Sequence, residues 1–151
     1  MMTMKALTLR HPWPWAVCYF GKDLENRVWR PSQLRLGDRL AIHAGKMPSL
    51  TEIREAFAGM DAMGAIAHVR DIPTLEQLRR QESAIVAVVK FGGATASDVS
   101  PWFCGPYGWR LYDLVVLPEP VKCRGARGLW DVPPDVLAKM RSQFSKEGRK
   151  V

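Results

Sequence analysis

The segment Ala84–Phe91, AIVAVVKF, is short, apolar and rich in β-branched residues. That combination reads as a β-strand, and a strand this apolar demands a sheet and a core around it. Other segments supply the neighbours. Lys5–Arg10 alternates, with Leu7 and Leu9 on one face. Arg39–Ala44, RLAIHA, follows the Gly37-Asp38 turn signal and puts Leu40 and Ile42 together. Asn26–Arg30 reads as a strand stopped by Pro31. Tyr107–Leu117 reads as a long strand that Pro118 and Pro120 end or bend. Val121–Arg124 is a further short strand, and Gly128–Val132 returns apolar residues to the core.

Helix signals fall between these strands. Pro12 and Pro14 fit the opening turn of a helix over Trp13–Phe20, with Gly21 just past its end. Ser49 caps a helix from near Leu50, with Glu52 in capping-box position. Thr74 caps a short helix reaching Arg80, with Glu76 in its first turn. Pro133 and Pro134 precede a last helix, Asp135–Phe144. Gly92–Pro101 reads as a loop of small and polar residues, and Met60–Arg70 fits either helix or strand. The elements do not alternate as a regular βαβ series. The expected class is α+β, a small mixed β-barrel or curled sheet with flanking helices. The chain's 151 residues suit one domain, 1–144, followed by a basic tail, 145–151.

The formal charge of +7 favours a polyanionic partner, nucleic acid first among them. No apolar run is long enough for a membrane-spanning helix, so no membrane partner is expected. The opening MMTMKALTLR lacks a signal peptide's apolar stretch, which leads to an expected cytoplasmic location. Cys18, Cys104 and Cys123 are widely spaced and odd in number, which argues against a disulfide framework. His11, His43 and His68 show no ligand spacing, so neither a metal nor another cofactor is expected.

The chemistry-bearing residues concentrate in LRHPWPWAVCYFGKDLENRVW, Leu9–Trp29. Trp13, Ala16, Val17 and Phe20 recur at helical spacing and form a core face, and Trp15 lies off it. Lys22 follows the helix end, where a cation also complements the partial negative charge of the helix C-terminus. In a strand, Glu25 and Arg27 share one face and Asn26 takes the other. These ions are either a solvated stripe or the lining of a concavity. In the second case Lys22 and Arg27 bind phosphate, while Glu25 orients one of them or accepts a hydrogen bond from a base.

Three blocks, taken together, resemble the ASCH family of the PUA-like superfamily. They are ALTLRHPWPWAVCYFGKDLENRVW, then LAIHAGK (Leu40–Lys46), then GPYGWRLYDLVVLPEPVKCRGARGLWDVP (Gly105–Pro133). They stand in the family's order and cover about half the chain, while Met47–Ser83 carries no matching motif. The resemblance implies a PUA-like barrel with Ala84–Phe91 as a barrel strand and Met60–Arg70 as a helical linker. It also implies a cleft with Lys22, Glu25 and Arg27 at its floor and His43 and Lys46 at the end of the adjacent strand. Proteins of this superfamily commonly bind RNA. A basic cleft edged with aromatics suits single-stranded RNA or a modified nucleotide, because bases stack on rings while cations track phosphates. Candidate platforms are Trp15, Trp29, Trp102 and Tyr107, and Arg30, Arg110 and Arg124 are candidate phosphate contacts.

Some ASCH relatives are hydrolases, which sets the alternative. An acylcytidine amidohydrolase of this kind uses a lysine, a threonine and a glutamate. Lys22 matches the lysine, Glu25 stands in the threonine's place, and no residue here matches the later glutamate. A metal-independent ribonuclease would use Lys22 as the cation and Glu25, His43 or Tyr107 as the proton carrier. A protein-interaction module is a further class, without a motif to support it.

Overall fold

The computed structural model describes residues 3–145. Its strands are β1 (Lys5–Leu9), β2 (Leu24–Arg27), β3 (Arg39–Ala44), β4 (Ala84–Thr95), β5 (Tyr107–Lys122) and β6 (Leu129–Asp131). Its helices are α1 (Trp13–Tyr19), α2 (Leu50–Ala62), α3 (Leu75–Arg80) and α4 (Pro134–Ser145). One mixed sheet runs in the order β2-β5-β4-β3-β1-β6, with β1 and β3 parallel and the other pairs antiparallel. The class is α+β. Apart from Ser145, which ends α4, the expected basic tail lies outside the described residues.

The sheet curls into a half-barrel, and one hydrogen bond shows how far. A flat sheet would hold edge strand β2 four strand spacings from β1, roughly 19 Å. Instead Arg27 Nη2 of β2 donates to the Thr8 carbonyl of β1 at 3.1 Å. That carbonyl lies beyond the reach of β6, which pairs only with Lys5, Ala6 and Leu7.

Burial on both faces explains why β4 is a continuous apolar run. Val86, Val89 and Phe91 join Leu7, Leu9, Ile42, Trp109 and Val17 in one cluster. Ile85 and Val88 join Ala6, Ala41 and the α4 residues Leu137, Met140 and Phe144 in another. A third cluster holds α1 and α2 together through Ala16, Phe20, Phe57 and Met60, with Leu78 and Trp102.

Several local expectations change in physical detail. β4 continues past Phe91, because Ala94 and Thr95 pair with Trp109 and Gly108 after a register shift at the glycines. Pro118 and Pro120 do not end β5. Only two steps of β4, Ile85 to Ala87, face the five from Val116 to Val121, so both prolines sit in a bulge where no ladder donor is needed. Val121 and Lys122 therefore belong to β5. β2 stops at Arg27, short of the expected Arg30. Over Met60–Arg70, α2 ends at Ala62 and turns follow. Ser49 accepts from the Glu52 amide, but the Glu52 carboxylate pairs with Arg10 at 3.4 Å and leaves the capping box open. The box closes instead at Thr74, through Gln77.

Candidate functional site

Two charged regions emerge from this frame, one closed and one open. The closed one begins where α1 ends. Gly21 takes φ +74° and the Lys22 amide returns to the Ala16 carbonyl at 3.1 Å, which turns the Lys22 side chain back under the helix. Its ammonium donates to the Leu24 carbonyl and, at 2.9 Å, to Glu25 Oε1, and it lies 5.7 Å from the centre of the Trp13 ring. Glu25 Oε2 sits 3.1 Å from Arg27 Nε, although that N–H is not aligned on it as a hydrogen bond. The register explains the burial. Glu25 pairs with Trp109 and Arg27 with Tyr107, so both acid and guanidinium share the inner face with a fully buried indole. The Lys22 side chain is 2% exposed and that of Glu25 12%.

Asn26 points the other way, as strand alternation requires. Its Nδ2 donates to the Trp102 carbonyl, and its Oδ1 accepts from the Cys104 and Gly105 amides at 2.8 and 3.1 Å. The Glu-Asn-Arg triplet thus ties β2 to the half-barrel on one side and to the 102–105 loop on the other.

The open region is a groove of ≈ 1160 Å³ at the C-terminal ends of β1 and β3. Lys46, Lys122, Arg124 and Arg127 line it, and among the described residues no Asp or Glu does. Among the described residues, none of these four cations makes an ion pair. Lys122 Nζ donates to the Glu82 carbonyl at 2.6 Å and the Arg80 carbonyl at 3.3 Å, which hold the ammonium without neutralising its charge.

Thr8 and His43 form the back wall of this groove. His43 Nε2 lies 2.8 Å from the Cys123 carbonyl, so that nitrogen carries the proton. Its Nδ1 is left to accept from Thr8 Oγ1 at 3.1 Å, and the Trp130 indole donates to the same hydroxyl at 3.1 Å. Burial lowers the His43 pKa below the ordinary 6.5, against the upward pull of the carbonyl bond. Gly125 lies directly on the pair. A Cβ there would come within 2.6 Å of both His43 Cε1 and Thr8 Oγ1, so only glycine lets the arginine-bearing loop seat this closely. His11 Nε2 donates to the Gly45 carbonyl at 3.0 Å, and burial lowers its pKa too.

The residues singled out from sequence are therefore distributed. Lys22, Glu25 and Arg27 meet in one cluster, which Thr8 links to the groove: its carbonyl takes Arg27 and its hydroxyl takes His43. Lys46 and Arg124 line the groove itself. Arg30 stacks on Tyr107 at 4.8 Å, and Arg110 is exposed and paired with Asp98. Trp29 packs edge-on against Trp109, and Trp102 is buried, so both serve the core. Trp15 lies against Tyr19, in a separate crevice.

Thr8, Lys122, Gly125 and Arg127 were not singled out as site residues. For Gly125 and Arg127 a signal existed: KCRGAR spaces two arginines around a glycine in a turn-rich stretch. Among the described residues, no three His, Cys, Asp or Glu side chains are grouped to hold a metal, and no helix is long and apolar enough to cross a membrane. Compared with models of known protein families and with curated protein sequences, the chain matches none.

Proposed function

We propose that this chain is an ASCH-type, PUA-like domain that binds single-stranded nucleic acid, RNA by preference, along the Lys46–Lys122–Arg124–Arg127 groove. The observation that carries this reading is the groove's charge: four cations, with no Asp or Glu among the described residues that line it, around a cavity large enough for a strand. Uncompensated cations in a concavity concentrate field and attract polyanions. A cytoplasmic location accords with such a partner. Hydrolysis at the Lys22–Glu25 cluster is the weaker alternative. Its candidate groups, Lys22 and Glu25, are committed to each other, to Leu24 and to Arg27.

The test is fluorescence anisotropy with a labelled short oligouridine at rising salt. Affinity should fall linearly on a log–log plot, by about 0.7 in slope for each phosphate contact. A combined Lys46→Ala, Arg124→Ala and Arg127→Ala variant should bind weakly and lose most of that slope. RNA recovered intact after incubation supports binding alone. Chelator-resistant cleavage that disappears in Lys22→Ala would establish the hydrolase instead. Absent or salt-insensitive binding would end the proposal.

A further inference from the structure

A second cavity, ≈ 250 Å³ in volume, shares no lining residue with the groove. It is lined by Trp15 and Tyr19 of α1, Arg80 and Gln81 at the end of α3, and Pro118 and Pro120 in the β5 bulge. The Trp15 and Tyr19 ring centroids are 4.4 Å apart with planes tilted by 48°, which makes an angled aromatic platform. Gln81 is only 5% exposed, yet its Oε1 has no hydrogen-bond partner. A buried amide oxygen left unpaired is costly, and the chain supplies this one with no donor.

We infer that this crevice is a base-reading subsite: it takes a single nucleobase, stacked on Trp15 with Tyr19 against its edge, and with the base's polar edge on the Gln81 carboxamide. The inference rests on the nucleic-acid reading above and adds to it where a base goes.

Three observations favour a base over other occupants. The first is chemical. A carboxamide offers an acceptor and a donor side by side, the pattern that the edge of a nucleobase complements. The second is size, because the cavity suits one planar ring system rather than a length of peptide. The third is continuity with the groove. Arg80 and Gln81 line the crevice while Ser83 lines the groove, and on β5 Pro118 and Pro120 line the crevice while Lys122 lines the groove. Lys122 is bonded to the carbonyls of Arg80 and Glu82, so a groove cation is anchored on the segment that carries Gln81. The segments 80–83 and 118–122 thus border both cavities. Arg80 stands at the rim with its side chain 69% exposed, and its acidic partner Glu119 is 3.8 Å away and equally open, so that pair is weak and leaves the guanidinium available to a phosphate.

The experiment follows the Trp15 indole N–H and the Gln81 carboxamide in proton–nitrogen spectra of the full chain, assigned with Trp15→Phe and Gln81→Leu. The probes are AMP, CMP, GMP and UMP, then short oligouridine and oligoadenosine RNAs. Both signals should shift saturably with the monophosphates, one base being preferred, and again with RNA. Trp15→Ala should weaken the preferred RNA by about tenfold or more, the usual loss for one stacked base. Gln81→Leu should instead flatten the preference among bases, with Trp15→Phe binding at near wild-type strength. If RNA moves the Gly45 and Gly125 amides of the groove but leaves Trp15 and Gln81 in place, the subsite is overturned while the groove reading stands. If monophosphates move the crevice but RNA moves nothing, the strand-binding reading falls and the subsite with it. A crevice that responds to an oligoproline peptide and to no nucleotide overturns the inference in favour of a peptide site.

Discussion

The closed cluster of Lys22, Glu25 and Arg27 and the open groove of Lys46, Lys122, Arg124 and Arg127 are made of the same side-chain types, yet their surroundings are opposite. In the cluster, one carboxylate is shared by two cations on the inner face of the half-barrel, and the lysine's stem is nearly free of water. In the groove, four cations face solvent with no carboxylate lining the space between them. Charge inside a fold must be answered by charge, because desolvation is otherwise prohibitive. Charge left unanswered at the surface stores attraction for something outside. What distinguishes holding the fold from meeting a partner is therefore the neighbour, not the residue.

The sharpest way to break that contrast is Glu25→Gln. It would leave buried Lys22 and half-buried Arg27 without a counter-charge, and breaking a buried pair in this way costs about 3–5 kcal/mol. Denaturant unfolding should show that loss. RNA affinity of the protein that remains folded should be nearly unchanged, because Glu25 does not line the groove. A near-neutral effect on stability would mean that the cluster is not closed after all.

Gly125→Ala should come next. Its Cβ would be driven against His43 and Thr8 at 2.6 Å, and overpacking of this kind costs about 1–3 kcal/mol. Here the two regions should respond together, since displacing the loop also moves Arg124 and Arg127. A loss of RNA affinity alongside the loss of stability would show that the His43–Thr8 pair sets the groove's shape. Unaltered affinity would show that the loop's position is unimportant to binding.

The pH dependence is expected to be milder. Burial holds His11 and His43 below the ordinary histidine value of 6.5, outweighing their carbonyl bonds to Gly45 and Cys123. The unfolded chain therefore takes up protons first as the pH falls. Stability is full above about pH 6.5 and declines as the pH drops toward the folded-state values. Denaturant midpoints between about pH 7 and pH 5.5 should fall, less steeply in His11→Asn, which removes one of the two groups. A midpoint that rises over this interval would contradict the burial of these rings.

What could be read from sequence follows the distance over which each feature is encoded. The Lys22–Glu25–Arg27 grouping lies within six residues and one strand alternation, so local periodicity carries most of it. The strand identity of Ala84–Phe91 and the cap at Thr74 are equally local. The groove is not. Lys46 lies two residues past the end of β3, and Lys122 comes from the far end of a strand that the prolines seemed to interrupt. Only the β5 bulge, which absorbs Pro118 and Pro120 without breaking the ladder, carries Lys122 and the following loop to the groove. Thr8 reads as an ordinary polar residue of an alternating strand. Its role depends on β3 lying parallel beside it, with His43 in direct register. Such pairings are set by topology, on which a single strand's pattern is silent.

Topology also fixes the smallest expected effect, which differs from the first in sign. Arg124→Ala and Arg127→Ala together remove charge from the groove, as Glu25→Gln removes it from the cluster. Among the described residues neither arginine has an ion pair to lose, and both are exposed. Surface changes of this kind usually stay within about 0.5 kcal/mol. Here the change should be stabilising at low salt, because four like charges around one cavity repel each other and two would be gone. Added salt screens that repulsion over a Debye length of about 10 Å at 0.1 M, so the gain should shrink as salt rises. Denaturant midpoints of the double variant and the native chain, measured at low and then at high salt, should converge from above. A double variant that is less stable at low salt would mean that the groove arginines are answered within the fold, and the distinction between the two regions would disappear.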